Sequence, residues 1–106
     1  VEPAESPYLT EGREGRHHIE GIGAGFHPDV LDTSVVDDVI AVSDSEAFRQ
    51  TRQLARTEGI LAGVSSGAAI QGLREAVNRY GNGNTCAVAI LADTGERYLS
   101  TWGFRD

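Results

Sequence analysis

The 106-residue sequence contains no lysine and no methionine, and only one cysteine, one tryptophan and three prolines. All nine basic residues are arginine, so no side-chain amine is present for Schiff-base chemistry or for the lysine of a P-loop. One cysteine cannot make a disulfide framework. Cys86 sits in the apolar run Thr85–Leu91, which predicts a buried structural thiol rather than a nucleophile. No stretch reaches the roughly 18 apolar residues of a membrane span, and no basic-then-apolar segment opens the sequence, so the expectation is a soluble, cytoplasmic chain. Positive charge is also scarce. A formal net charge of −7 excludes the clustered cations a nucleic-acid partner requires. His17 and His18 are adjacent and share no face of a regular element, which predicts solvated histidines and no metal site.

What is present is ordinary for a globular α/β chain: 40% apolar residues and thirteen glycines. A chain of this length supports one modest core, burying roughly two-thirds of its unfolded surface. Its organising stretch is Gly59-Ile-Leu-Ala-Gly-Val-Ser-Ser-Gly-Ala-Ala69, a short apolar run, a Gly/Ser turn and then a helical pattern. Gly63 and Gly67 flank Val64, Ser65 and Ser66, so backbone N–H groups and two hydroxyls converge at a helix N-terminus, where the dipole favours polar ligands. The turn follows neither the P-loop nor the G-x-G-x-x-G pattern. On its own it fits either tight packing or a binding site.

Along the chain, Val1-Glu2-Pro3 reads as the end of a strand, with Pro3 holding Glu2 extended. Residues up to Glu20 show neither hydrophobic period and predict an exposed loop. Gly21-Ile-Gly-Ala-Gly-Phe26 follows, three glycines spaced by two, which suits either a packed loop or room for a ligand beside Gly23 and Gly25. Val39–Val42 predicts a short covered strand. Ser43-Asp-Ser-Glu46 is a capping box that starts a helix, with Ala47, Phe48, Thr51, Leu54 and Ala55 on its buried stripe, Arg49, Gln50, Arg52 and Arg56 facing water, and Gly59 as its stop. A second helix from the Gly/Ser turn places Ala68, Ala69, Gly72, Leu73, Ala76, Val77 and Tyr80 on its apolar face and ends at Gly81-Asn-Gly-Asn84. Thr85–Leu91 predicts a central parallel strand, Asp93-Thr94-Gly95 a turn, and residues 96–102 one or two helical turns. The organisation is thus loop-rich over 1–38 and strand–helix–turn–helix–strand–helix over 39–106. This rhythm belongs to a doubly wound α/β sheet, in which ligands sit beyond the carboxyl ends of the strands, where Gly23–Phe26 and Asp93–Gly95 would meet the central turn.

Taken together, Val1-Glu2-Pro3, His17-x-Ile19-x-Gly21-Ile-Gly-Ala-Gly-Phe26-x-Pro28, Glu58-Gly-Ile-Leu-Ala-Gly-Val-Ser-Ser-Gly-Ala-Ala69 and Asp93-Thr-Gly-Glu-Arg-Tyr-Leu-Ser-Thr101 resemble, in order and spacing, the C-terminal part of the cysteine synthase (O-acetylserine sulfhydrylase) family. The resemblance implies fold type II, the tryptophan-synthase-β fold, here as an incomplete part of a doubly wound three-layer sheet domain, and pyridoxal 5′-phosphate as cofactor. It places Ser65 at the pyridine nitrogen, Gly63, Ser66, Asp93 and Gly23 around the cofactor with Tyr98 near its ring edge, and Gly21, Ile22, Gly23, Ala24, Gly25 and Phe26 on the substrate side. It also implies that the Schiff-base lysine and the phosphate loop lie upstream of Val1, so that no catalytic residue is in this chain.

The implied reaction replaces the acetate of O-acetylserine with sulfide to give cysteine, in a parent enzyme that is a homodimer. This chain alone is expected to be inactive without the N-terminal half. Ala92 stands where the family often has proline, a departure that bears on the rigidity of the Asp93 loop. A cystathionine β-synthase-like enzyme and a non-catalytic binding module that reuses the half-fold are the competing expectations.

Overall fold

The computed structural model describes residues 1–96. Its regular elements are β1 (Glu2–Pro3), α1 (Tyr8–Glu11), a 3-10 turn (Thr33–Val35), β2 (Ala41–Val42), α2 (Asp44–Glu58) and α3 (Val64–Tyr80). The two strands pair in parallel, Glu2 opposite Ala41 and Pro3 opposite Val42. Backbone bonds from Glu2 N–H to Ile40 and from Ala4 N–H to Val42 close the pair at 3.0 and 2.8 Å. The α/β class predicted from the sequence is what the chain adopts.

The capping box at Ser43 forms in full: Ser43 Oγ accepts from Glu46 N–H while Glu46 accepts from Ser43 N–H. Gly59 ends α2 in the left-handed region at φ 67°, its N–H on the Ala55 carbonyl. Helix α3 packs along α2 and onto β2. The core is Ile19, Ile40, Val42, Ala47, Phe48, Val64 and Ala68, with Ile22 and Ala76 packed against it. Ile19 brings the glycine-rich loop into this core, because its side chain is fully buried.

Several expectations are corrected. Residues up to Glu20 are not purely loop, since α1 forms where the buried Glu2 carboxylate accepts from the N–H groups of Leu9 and Thr10 and from the Thr10 hydroxyl. The acid replaces the missing cap of a four-residue helix whose N-cap is Pro7. Gln50 does not face water: it is 3% exposed and donates to Gln71 Oε1 at 2.8 Å, so the α2–α3 interface includes a satisfied amide pair. Leu54 and Ala55 are half-buried rather than buried.

Tyr80 lies outside the apolar face and donates its hydroxyl to Asp38. That bond, together with the Val39 N–H, holds the Asp38 carboxyl below the ordinary carboxylate range and, in return, pushes the Tyr80 phenol up. Residues 85–91 have no strand partner among the described residues; Val88 and Ile90 are 83% and 76% exposed, and Cys86 is exposed too. A strand exists only as part of a ladder, and the described strands, β1 and β2, pair with each other. The helical turns expected over 96–102, and Tyr98 with them, fall outside the described residues apart from Glu96. No helix among the described residues is long and apolar enough to cross a membrane.

Candidate functional site

Three segments meet at the start of α3. Gly63 is its N-cap in extended backbone at φ −74°, and Val64, Ser65 and Ser66 form the first turn. The segment before it pairs with the 93–95 turn: Gly63 N–H donates to the Asp93 carbonyl at 3.2 Å, Gly95 N–H to the Leu61 carbonyl at 3.0 Å, and Ala62 bridges Thr94 in antiparallel sense. A Cβ on Gly63 would stand 2.0 Å from Asp93 Oδ1, so any larger residue here would have to displace the Asp93 side chain. The Asp93 side chain therefore lies directly over the N-cap of α3.

The glycine loop approaches from the other side. A Cβ on Gly21 would lie 3.7 Å from Ser65 Oγ, so the backbone of Gly21 faces the Ser65 side chain at van der Waals range. Gly21, Gly23 and Gly25 all have positive φ, at 97°, 66° and 77°, which bends the loop back on itself in a way an L side chain resists. Gly23 is hemmed in as well, since a Cβ there would meet Pro3 Cγ at 2.5 Å and His17 Nε2 at 2.7 Å. Beyond the loop opens a cavity of about 430 Å³, walled by Gly21, Ile22, Gly23, Ala24, Gly25 and Phe26 together with Glu2, Ser6, Tyr8 and Leu31. Phe26 is 60% exposed at its mouth. Ser65 lies outside this wall, on the Gly21 flank of the loop.

Of the residues singled out from the sequence, the structure thus brings together Gly63, Ser65, Ser66, Asp93 and Gly21, while Ile22 to Phe26 run on from Gly21 into the cavity wall. Ser65 is half-buried and its hydroxyl faces the loop flank. Ser66 is 1% exposed and its Oγ has no hydrogen-bond partner among the described residues. An orphaned buried hydroxyl beside a half-buried one, in the first turn of a helix, fits a polar ligand edge. Each hydroxyl can donate to an acceptor on such an edge or accept from a donor on it. Among the described residues no His/Cys/Asp/Glu cluster could hold a metal.

Sequence reasoning missed His17, which is not simply solvated. Its Nδ1 accepts from Ile19 N–H at 3.1 Å and its Nε2 lies 3.2 Å from the Gly23 carbonyl. His18 is bonded too, its Nδ1 2.7 Å from the Asp44 carboxylate. No periodicity could have signalled either contact, because both are set by the bend of the loop.

A family model described as pyridoxal-phosphate dependent enzyme matches residues 1–92. A cysteine synthase of Staphylococcus aureus is 46% identical over 101 residues, covering 95% of this chain and 32% of the relative. The crystal structure of a cysteine synthase (OASS) from Entamoeba histolytica superposes with a TM-score of 0.94 at 39% identity, covering all of this chain and 31% of that one. An O-acetylserine dependent cystathionine beta-synthase from Helicobacter pylori superposes at 0.85 and 39% identity, covering 94% of this chain and 32% of that one. The chain spans about a third of the length of these relatives. With its fold, its glycine loop and its Gly/Ser turn in this arrangement, the chain belongs to the family of pyridoxal-phosphate dependent enzymes, alongside the cysteine synthases.

Proposed function

We propose that this chain supplies the pyridine-nitrogen side of a cysteine-synthase-type site, whose reaction replaces the acetate of O-acetylserine with sulfide to give L-cysteine. The observation that carries the reading is the approach of the Gly21 backbone to the Ser65 hydroxyl at the N-terminus of α3. In this reading Ser65 takes the ring nitrogen, and Gly63, Ser66, Asp93 and Gly23 frame the ring. Gly21, Ile22, Gly23, Ala24, Gly25 and Phe26 line the substrate side.

The cofactor, when bound, supplies the electron sink that lets a β-substituent leave and another add. The chain's own part is positional. Ser65 offers a neutral hydroxyl, which holds the ring in place without forcing a proton onto it as a carboxylate would. The glycine loop presents backbone rather than side chains to the ligand, so a flat group can lie close to it. With no lysine in its 106 residues the chain has no side-chain amine to anchor the cofactor aldehyde, and alone it is expected to form no cysteine. The remaining groups would come from residues outside this sequence, in a cytoplasmic homodimeric enzyme.

The 39% identity shared with the Entamoeba cysteine synthase and the Helicobacter O-acetylserine dependent cystathionine beta-synthase supports a second reading, a cystathionine β-synthase-like enzyme with the same cofactor side and a different sulfur donor. The test is an amide ¹H–¹⁵N spectrum of the chain with and without pyridoxal phosphate. Selective shifts at residues 63–67 and 22–26, lost in Ser65→Ala, are expected. Shifts elsewhere only, in a folded chain, would overturn the assignment of Ser65, and binding of an unrelated ligand at this turn would favour a non-catalytic module.

A further inference from the structure

We propose that His17 is a positioning residue of this site: a neutral imidazole, with its proton on Nε2, that latches the glycine loop against the start of α3 by donating to the Gly23 carbonyl. The ring spans two very different environments. On one side, Nδ1 accepts from the backbone N–H of Ile19, whose side chain is fully buried in the core. An N–H pointing at Nδ1 leaves the ring proton for Nε2. On the other side, Nε2 lies 3.2 Å from the carbonyl oxygen of Gly23, which can only accept. The imidazole is therefore a rigid spacer between a fixed core residue and the middle of the loop.

Gly23 is the position where such a spacer has most effect. Its backbone, at φ 66°, passes between His17 Nε2 and Pro3, with 2.7 and 2.5 Å to where a Cβ would be. Pro3 belongs to β1 and is itself buried. The loop is thus held at Gly23 by the ring on one side and a strand on the other, and two residues earlier Gly21 stands against Ser65. Releasing the Gly23 carbonyl frees the loop to move away from the hydroxyl. The role of His17 at the cofactor rests on the function proposed above; the latch itself does not.

The two arms separate by substitution. Glutamine matches the number of bonds from Cβ to Nε2 and can donate to Gly23, whereas asparagine places its oxygen where Nδ1 was and can only restore the Ile19 bond. The experiment uses the full chain. A long-range ¹H–¹⁵N imidazole spectrum reads the tautomer, ¹⁵N relaxation reads the backbone order of Gly21–Gly25, and the Ser65 amide reads the response to pyridoxal phosphate.

Expected are the Nε2–H tautomer, order parameters near ~0.85 for the loop in the parent and in His17→Gln, and values below ~0.6 in His17→Asn. The shifts of Ile19 and Val42 should stay unchanged in both variants, which controls for folding. An Nδ1–H tautomer, equal loop order in both variants, or loss in His17→Gln alone would each overturn the latch. A latch that behaves as expected with no cofactor response at Ser65 would overturn the function reading only. A normal cofactor response in His17→Asn would overturn the role of His17 in positioning.

Discussion

Gly67 and Thr51 touch where α3 crosses α2: a Cβ on Gly67 would lie 2.0 Å from Thr51 Oγ1 and 2.2 Å from the Ala47 carbonyl oxygen. That hydroxyl is already committed, donating to the same carbonyl at 2.7 Å. The crossing therefore fixes how far α3, and the Ser65 turn at its start, can stand from α2.

Gly67→Ala is expected to destabilise the chain. Alanine gains up to about 1 kcal/mol of helix propensity, but overpacking costs about 1–3 kcal/mol, and here backbone atoms must move apart. A urea midpoint below that of the parent is the expected result. Thr51→Ala should not rescue it, because the Ala47 carbonyl remains in the way.

Ser66→Ala should do the opposite. The Ser66 hydroxyl is buried with no partner among the described residues, and an unpaired buried hydroxyl costs about 1–3 kcal/mol. Its removal is expected to raise the urea midpoint while weakening the pyridoxal-phosphate shifts at residues 63–67. A lower midpoint would show that the hydroxyl has a partner in solution.

Glu2→Ala should unfasten α1. The carboxylate satisfies the N–H groups of Leu9 and Thr10, and stranding them costs about 1–3 kcal/mol. Hydrogen exchange should quicken at these two amides and leave α2 unchanged. Glu2→Gln should fall between, since its Nε2 cannot accept.

Tyr80→Phe tests the pH dependence of the link between α3 and the segment before β2. The depressed Asp38 pKa contributes stability that is present above the ordinary carboxylate pKa and is lost as pH falls through the lowered one. The raised Tyr80 pKa contributes stability present below the ordinary phenol pKa and lost as pH rises through the raised one. The variant should flatten both limbs. In a ¹³C carboxyl titration Asp38 should move up toward its usual range, stopping short because the Val39 N–H still donates to it.

What was legible in the sequence was local. Ser43 and Glu46 sit within one turn, so the capping box needed no tertiary information, and Gly59 ended α2 for the same reason. The approach of the glycine loop to the Ser65 turn was reachable from the strand–helix rhythm, which puts such loops beyond the strand ends, whereas spacing alone did not say which loop atoms would meet Ser65. Gln50 was misplaced because helical period assigns a face, and only the position of Gln71 on α3 shows that this part of the face is covered. Thr85–Leu91 has the composition of a central strand, but composition cannot provide the partner a ladder needs. His17 and Glu2 were missed because their partners, Gly23 and the α1 amides, depend on how the intervening backbone turns.

The parallel pairing of Glu2–Pro3 with Ala41–Val42 also has a kinetic meaning. It ties off a loop of about forty residues, whose closure entropy must be met before its contacts form, whereas α2 and α3 are neighbours in sequence. The helical hairpin should therefore assemble early, with the glycine loop ordering only once the strand rungs close. A folding transition state with φ-values near zero at Pro3 and Ile19, and higher ones at Ala47 and Ala68, would be the mark of that order.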